Sequence, residues 1–236
     1  MESKLDSLDD EDKKIISQES NVKDRIIQIL KNKAGDIKIL TKTLPLTGIS
    51  HLLLTASDPL NKMLKMNFKE GINKEIDFSK YGYNAVDSFI WYIHTDEIYF
   101  PNDFDETFDL LELNEIYEQK IYCELTMKNI IDCTSDENSI DVLYCCEKYK
   151  VINPHMKIKI KNHATKYLLM NCDILIKEYL LYKKNHDKED GDIEKEENTI
   201  KMNILENIME QYTNSQIIIL FEGISGSFNE ILKKNM

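Results

Sequence analysis

Cysteine and histidine side chains in the second half of the sequence are the residues that could bind a metal ion. Cys145 and Cys146 are adjacent, and Cys172, His155 and His163 lie within thirty residues of them. Structural zinc sites use Cys-x-x-Cys pairs or closely spaced histidines, and neither spacing occurs here. We therefore interpret the five cysteines as free, buried thiols of a reducing compartment and predict no metal site.

Two other segments resemble ligand-binding loops only in part. HDKEDGDIEKEE places Gly191 and Glu197 at the sixth and twelfth positions of a calcium loop. His186 and Lys188 occupy its first and third positions, where oxygen ligands are required. GISGS, near the C-terminus, lacks the lysine and the spacing of a phosphate-binding loop. We therefore predict a solvated charged segment and a turn, with no catalytic residue and no cofactor.

Charge and composition exclude several classes of partner. The formal net charge of −12 repels phosphate backbones, and Arg25 is the single arginine, so nucleic acid is not an expected partner. The first residues are acidic where a secretory signal needs a basic start, and no apolar run reaches about 18 residues. The sequence thus predicts a cytoplasmic protein without a membrane anchor.

Patterns between residues 36 and 132 predict a small sheet and several helices. GDIKIL and TKTLPLTG have the alternation and turn residues of two short strands, and KEIDFS predicts a third. Ser57-Asp58-Pro59 has the residue types of a helix N-terminus, which predicts a helix starting near Pro59. A helix over YNAVDSFIWYIHTDEI should bury one apolar stripe and face Asn84 and Asp87 outward. That stripe comprises Val86, Phe89, Ile90 and Ile93.

Further helices are predicted on both sides of this region. Apolar spacing predicts a short helix over residues 22–29, and one in each of DETFDLLELNEIYEQ, KIYCELTMKNIIDC, SDENSIDVLYCCEKYKVI and PHMKIKIKNHATKYLL. Because their connections are short, these helices should pack as antiparallel neighbours. The fold class expected is α+β and predominantly helical, a helical bundle capped by a small β-sheet.

The flanking segments differ in composition from this body. Residues 1–21 form an acidic tail with few large apolar groups, which predicts disorder, and residues 183–198 form a charged linker. Residues 199–236 predict a C-terminal helical segment that docks back on the body.

Residues 36–132 also follow a recognisable order. Asp36 opens the first strand, His51 precedes the apolar run HLLLTAS, and a helix ending in FIWYIHTDEI is followed by DLLELNEIYEQKIYCELTMKNI. This order resembles the BTB/POZ family of interaction domains, as a short member similar to those of large DNA viruses. The resemblance implies a BTB/POZ-like domain over 22–132 with its preceding helix, followed by a helical, BACK-like extension over 133–182. It also implies that Asp36 and His51 are structural, with His51 hydrogen-bonded near the domain core.

Two positions depart from the family's pattern. Leu52 stands where dimeric members carry Lys or Arg, so Asp36 is expected to be buried without its ion partner. Leu52 accordingly argues against the usual homodimer, which stays an open alternative. Asp96 replaces the glycine that follows the corresponding helix in the family, which predicts a different turn geometry there.

The resemblance implies a protein-interaction adaptor without catalytic activity, linking a client to a cullin-based ubiquitin ligase in the cytoplasm, the host's if the protein is viral. In the family the helix equivalent to Ala85–His94, the turn TDEIYFPNDF and the helix near Lys120–Ile131 present a surface to the cullin. We expect the partner to bind an exposed rim, because aromatic anchors dominate interface energies. That rim comprises Asp96, Tyr99, Phe100 and Phe104.

Other interpretations remain open on the sequence alone. The chain could be a self-associating scaffold, or a decoy that sequesters host BTB or ligase partners. An enzyme of an unrecognised type is a third class, although His51, which could act as a general base, has no nucleophile spaced to use it. Trp91 and Tyr92 could form a binding patch or simply pack beside Phe89 and Ile93.

Overall fold

The structure is a computed structural model that describes residues 21–65, 68–170 and 199–208. Over these residues the chain is predominantly helical with one three-stranded sheet, which confirms the predicted α+β class. The chain forms two compact units, one ending at Tyr122 and one beginning at Cys123. The acidic tail before Asn21, the charged linker and most of the C-terminal segment lie outside the described residues. The family-based boundaries at 22–132 and 133–182 stay predictions.

The first unit alternates short strands with helices. Its elements are α1 (Val22–Lys31), β1 (Ile37–Leu40), β2 (Leu46–Gly48), α2 (Ser50–Ala56), α3 (Asp58–Leu64), α4 (Lys69–Asn73), β3 (Glu75–Asp77), α5 (Tyr83–Thr95) and α6 (Phe104–Ile116). Helix α7 (Lys120–Cys133) contains the division between the units, and α8 (Ser139–Lys148) and α9 (Pro154–Met170) follow in the second. A last described helix, α10, covers residues 199–208.

The sheet has the order β2-β1-β3, so β1 is the central strand. β1 pairs antiparallel with β2, with Ile37 opposite Gly48, and parallel with β3, with Ile39 opposite Ile76. Ile37 and Ile39 are buried while Lys38 between them is exposed, the alternation expected of a strand with one face on the core. The three predicted strands are therefore confirmed.

A close backbone approach joins the start of β1 to the end of β2. A Cβ atom on Gly35 would lie 2.3 Å from the carbonyl oxygen of Gly48. Since that atom belongs to the backbone of a paired strand, it cannot move aside as a side chain would. The absence of a side chain at Gly35 is what allows the chain to enter the sheet here.

The apolar run after His51 forms a helix of its own. α2 buries Leu53 and ends at Ala56, and Ser57 then caps α3, its side chain accepting the backbone N–H of Leu60. The predicted helix start near Pro59 is confirmed, whereas α2 was not predicted from the pattern. A continuous apolar run has no periodicity that separates a helix from a buried strand.

Helix α5 supplies the centre of the first core. Its residues Val86, Phe89 and Ile90 are buried as predicted, Ile93 is half-buried and Asn84 is exposed, while Asp87 is only half-exposed. The core cluster brings this stripe together with buried side chains from all three strands and from four other helices. Those of lowest exposure include Ile39, Leu53, Leu60, Ile76, Leu110, Leu113 and Tyr122. Burial of this apolar area is the main stabilising contribution to the unit.

The second unit is helical throughout its described part. α8 packs against α9, which buries Ile160, Ala164 and Leu168 at intervals of four residues. Helix α10 joins the same unit through the ammonium group of Lys201, which lies 2.6 Å from Asp141 of α8, and through buried Leu205. These ten residues of the C-terminal segment therefore contact the second unit, and the docking of the rest stays a prediction.

None of the four described cysteines forms a disulfide bond, but they are not all buried. Cys123, Cys145 and Cys146 are buried, and burial raises the pKa of the Cys146 thiol to about 12. Cys133 is exposed at the end of α7, so the prediction of a buried thiol there is wrong. Apolar spacing does not place this last residue of the helix on the buried face. Cys172 lies outside the described residues.

A candidate partner-binding turn between two helices

The turn between α5 and α6 starts with a left-handed residue. Asp96 caps the C-terminus of α5 with φ 57° and ψ 14°, and its N–H donates to the carbonyl of Tyr92. Glycine is favoured in this conformation because it has no Cβ atom, and aspartate tolerates it better than most other residues. Asp96 therefore ends the helix in the way a glycine would, and its carboxylate remains exposed.

Tyr99 fixes the middle of the turn through both its side chain and its backbone. Its hydroxyl donates to Asp87 over 2.6 Å, and its carbonyl accepts hydrogen bonds from the hydroxyls of Ser88 and Tyr122. Burial, followed by the hydrogen bond to Asp87, raises the pKa of Tyr99 well above its usual value. The turn is thus held to α5 and to the start of α7 by three hydrogen bonds.

Tyr122 is the buried support of this arrangement. Its ring centre lies 4.3 Å from that of Tyr92 and 6.0 Å from that of Phe100, and the side chain has no exposed surface. Burial raises the pKa of Tyr122 to about 12, so the hydroxyl stays protonated and donates to the Tyr99 carbonyl over 2.6 Å. A protonated donor here keeps that carbonyl paired below the surface.

The predicted rim is therefore only partly exposed. Asp96 is exposed, but Tyr99, Phe100 and Phe104 are all half-buried, and Phe100 packs against the core cluster. The expectation of exposed aromatic anchors is wrong because these rings are used to position the turn. In their place the structure exposes two isoleucines that the patterns did not single out. Ile98 in the turn is 40% exposed and Ile121 at the start of α7 is 68% exposed.

Trp91 links the turn to the first helix. Its indole N–H donates to Glu97 over 3.2 Å, and Lys23 of α1 lies 2.9 Å from the other oxygen of the same carboxylate. The hydrogen bonds from Lys23 and Trp91 lower the pKa of Glu97. Trp91 and Tyr92 are both half-buried, which favours the packing interpretation for these two rings.

Carboxylates on one face of α6 hold the segment that enters α5. Glu106 accepts the backbone N–H and the side-chain amide of Asn84, and Asp109 accepts the N–H of Gly82 over 2.8 Å. One turn further along, Glu112 lies 3.6 Å from the ammonium group of Lys80. Residues three apart share a helix face, so these acidic side chains act on one short segment. α6 is thereby held along its length to the N-terminal end of α5 and to the segment before it.

Asp36 has the partners that the sequence did not predict. It is exposed, it accepts the backbone N–H and the hydroxyl of Ser50 over 2.7 and 2.6 Å, and it lies 3.6 Å from the ammonium group of Lys74. Burial alone would raise the pKa of Asp36, but the hydrogen bonds from Ser50 outweigh it and lower that pKa. The expectation of a buried carboxylate without an ion partner is wrong, since Lys74 comes close only through the parallel pairing of β3 with β1.

His51 and His94 exchange the roles that the sequence suggested. His51 is exposed on α2, so its predicted place in a hydrogen-bond network near the core is wrong. The buried histidine is His94, whose Nε2 accepts the N–H of Ile49 over 2.8 Å and whose Nδ1 lies 2.7 Å from the carbonyl of Ile90. This arrangement requires the neutral ring with its proton on Nδ1. The sequence did contain a signal for the burial of His94, because this residue lies four positions after Ile90 on the buried stripe.

The residues considered for metal binding or catalysis do not form a site among the described residues. There, no three His, Cys, Asp or Glu side chains are grouped as metal ligands would be. Cys145 and Cys146 are buried on α8, while His155 is exposed on α9. The calcium-like segment and GISGS lie outside the described residues. Of the helices that the structure describes, none is long and apolar enough to cross a membrane.

Comparison with known proteins adds no relative. No protein-family model matches the chain, and the search of curated proteins found no match.

Proposed function

We propose that this protein is a protein-interaction adaptor of the BTB/POZ type, which links a client to a cullin-based ubiquitin ligase. The observation that carries the proposal is a rigid turn with an exposed apolar residue at its centre. Ile98 stands between Glu97, which is bound to Lys23, and Tyr99, which is anchored by three hydrogen bonds. A surface already fixed in one conformation loses little entropy when a partner binds.

Ile121 extends this surface. The hydroxyl of Tyr122 reaches the carbonyl of Tyr99, so the residues beside them, Ile121 and Ile98, belong to neighbouring surface segments. Both isoleucines are exposed, and isolated apolar side chains among acidic ones suit a partner with an apolar pocket and a basic rim. We call Asp96, Ile98 and Ile121 the recognition surface.

The order of elements also supports the family assignment. Asp36 precedes β1, the apolar run of α2 ends in Ala-Ser, and α5 ends at Thr95 with a left-handed residue in the position of the family's glycine. These are the features on which the resemblance rests. The element order supports the fold, whereas the cullin partner depends on the recognition surface alone.

A binding measurement with a purified cullin N-terminal domain tests the proposal. The wild-type chain should bind, and Ile98→Asp and Ile121→Asp should each weaken binding at least about tenfold, which is the effect expected of a central apolar contact. Leu44→Asp is the matched control, since Leu44 is a comparably exposed apolar residue in the β1–β2 connection and should bind like the wild type. A wild-type chain that binds no cullin would remove the ligase role. Equal loss in all three variants would remove the recognition surface.

A further inference from the structure

A lysine-rich stretch in the second unit contrasts with the charge of the whole chain. Between Lys148 and Leu168 the sequence contains no Asp or Glu, although the formal net charge of the protein is −12. The lysines of this stretch are Lys148, Lys150, Lys157, Lys159, Lys161 and Lys166. Glu147, which immediately precedes it, forms an ion pair with Lys161. The excess of positive charge in the stretch is therefore only slightly reduced by its neighbours.

Helix geometry gathers part of this charge on one face of α9. Ile160, Ala164 and Leu168 are buried, whereas four exposed positions on the opposite side of the helix follow one another at spacings of four, three and four residues. Those positions are His155, Lys159, Asn162 and Lys166, and Ile158 beside them is 53% exposed. We call these five residues the basic face. It is an amphipathic surface whose apolar member has no cover within the described chain.

The opposite charge is concentrated between α5 and α6. Residues 81–119 contain ten Asp and Glu residues and neither Lys nor Arg. Several of these carboxylates bind their own chain, as Asp87 binds Tyr99 and Glu106 binds Asn84. The segment 96–105, which we call the acidic turn, keeps exposed carboxylates at both of its ends. They belong to Asp96, Asp103 and Asp105, with Ile98 exposed between them.

We propose that the acidic turn of one copy docks on the basic face of a second copy, so that the protein self-associates head to tail. The two surfaces have opposite charge, and each exposes one isoleucine. Because the contact joins two different surfaces, a bound pair leaves one free surface of each kind, so further copies can extend a chain or close a ring. Charge complementarity mainly sets the orientation and the association rate, so the contact should be weak and sensitive to salt.

Nucleic acid and anionic lipid fit the basic face less well than a protein segment does. The face contains no arginine, the side chain best suited to bidentate binding of phosphate. Its exposed Ile158 has no counterpart in a phosphate backbone. An acidic turn with its own exposed isoleucine matches both the positive charge and the exposed Ile158 of the basic face.

Charge reversal in two separate variants tests the proposal on the purified full chain, with no cullin present. Lys159→Glu/Lys166→Glu changes the basic face, and Ile98→Lys/Asp105→Lys changes the acidic turn. Lys42→Glu/Lys62→Glu is the control for the basic-face variant, because it makes the same two charge reversals at exposed lysines elsewhere. Circular dichroism establishes that each variant is folded, and sedimentation or light scattering over a concentration series gives the molar mass.

At an ionic strength of about 0.05 M the wild type and the control should reach at least twice the mass of one chain. Both should return to monomer at about 1 M, where the Debye length is about 3 Å. Each surface variant alone should associate at least about tenfold more weakly, yet a mixture of the two should form a one-to-one complex, because an intact acidic turn then meets an intact basic face.

Three results would overturn the proposal. They are a wild type that stays monomeric at low ionic strength, variants that associate as the wild type does, and a mixture that forms no complex. A 20-nucleotide single-stranded DNA and phosphatidylserine vesicles serve as additional probes. Loss of DNA or vesicle binding in Lys159→Glu/Lys166→Glu, without any self-association of the wild type, would assign the basic face to that ligand instead. The outcome does not depend on cullin binding, so the two proposals can fail separately.

Discussion

The imidazole of His94 accepts the backbone N–H of Ile49 on Nε2 over 2.8 Å, which joins the C-terminal turn of α5 to the start of α2. The other ring nitrogen lies 2.7 Å from the carbonyl of Ile90. Acceptance on Nε2 requires a neutral ring, whereas the Nδ1–H donates to Ile90. Burial lowers the pKa of His94 below its usual value of 6.5 because it disfavours the charged form.

Stability should therefore depend on pH through His94. The contribution of the neutral ring is fully present above about pH 6.5 and decreases as the pH falls from there towards the lower pKa of the folded state, since the unfolded chain takes up the proton first. We expect the free energy of unfolding, measured with urea between pH 7.5 and 5, to decline more steeply in the wild type than in His94→Gln. Parallel curves would show that His94 is not the group responsible.

Removing the ring should also destabilise the fold at neutral pH. His94→Ala leaves the N–H of Ile49 without its acceptor and opens a buried cavity. We expect the free energy of unfolding to fall by about 2–4 kcal/mol. His51→Ala is the control, because that side chain is exposed and its removal should change the free energy of unfolding by less than about 0.5 kcal/mol. Equal effects of the two substitutions would contradict the assignment of the buried role to His94.

Gly35→Ala should destabilise the sheet. The new methyl carbon would lie 2.3 Å from the carbonyl oxygen of Gly48, and relief requires β1 and β2 to separate. We expect a loss of about 3 kcal/mol in urea unfolding, typical of an overpacked site. Ala34→Ser adds an atom one residue earlier, where the chain is exposed, and should be nearly neutral. A Gly35→Ala protein as stable as the wild type would show that the two backbones leave room for a methyl group at residue 35.

Gly82→Ala tests the carboxylates of α6. The added carbon would lie 2.5 Å from Oε1 of Glu106, so this side chain must move and release Asn84. We expect Gly82→Ala to lower the free energy of unfolding by about 1 kcal/mol. The decrease should be smaller when Gly82→Ala is introduced into the Glu106→Ala variant. A thermodynamic cycle over the two positions measures this coupling in urea unfolding. Strictly additive effects would mean that Glu106 does not crowd Gly82.

Ser88→Ala and Tyr122→Phe each remove one of the two hydroxyls bound to the Tyr99 carbonyl. Either change alone should lower the free energy of unfolding by about 1 kcal/mol, because the other hydroxyl still donates to the carbonyl of Tyr99. The double variant should lose more than the sum, since the carbonyl then has no donor from these side chains. Hydrogen exchange of amides in residues 96–103 should accelerate most in the double variant. Unchanged exchange would contradict a role for these hydroxyls in fixing the turn.

Particular elements show why some features could be predicted from the sequence. Val86, Phe89 and Ile90 repeat at helical spacing, so α5 and its buried face follow from local geometry. Ser57 and Pro59 mark the start of α3 because capping depends on neighbouring residues alone. The same reasoning did not yield α2, whose uninterrupted apolar run has no period. The family resemblance placed the buried histidine at residue 51 instead of 94.

The turn between α5 and α6 was predicted in position, but the exposure of its side chains was not. The acidic, aromatic composition of residues 96–104 indicated a surface turn, and the structure exposes Asp96 there. Tyr99, Phe100 and Phe104 are half-buried because Asp87, Ser88 and Tyr122 hold the turn against α5. Ile98 and Ile121 are exposed as a consequence. No spacing rule could assign these roles, since Tyr122 is 23 residues away from Tyr99.

The amino-acid sequence by itself determined most of the helices, the three strands, the predominantly helical class and the segregation of acidic from basic residues, because each depends on neighbours within a few positions. Only the tertiary structure decided which side chains meet: His94 with Ile49, Asp36 with Lys74, and Tyr122 with Tyr99. These pairs are 23 to 45 residues apart. Their contacts arise when the core closes, where burial and unpaired polar groups select one arrangement.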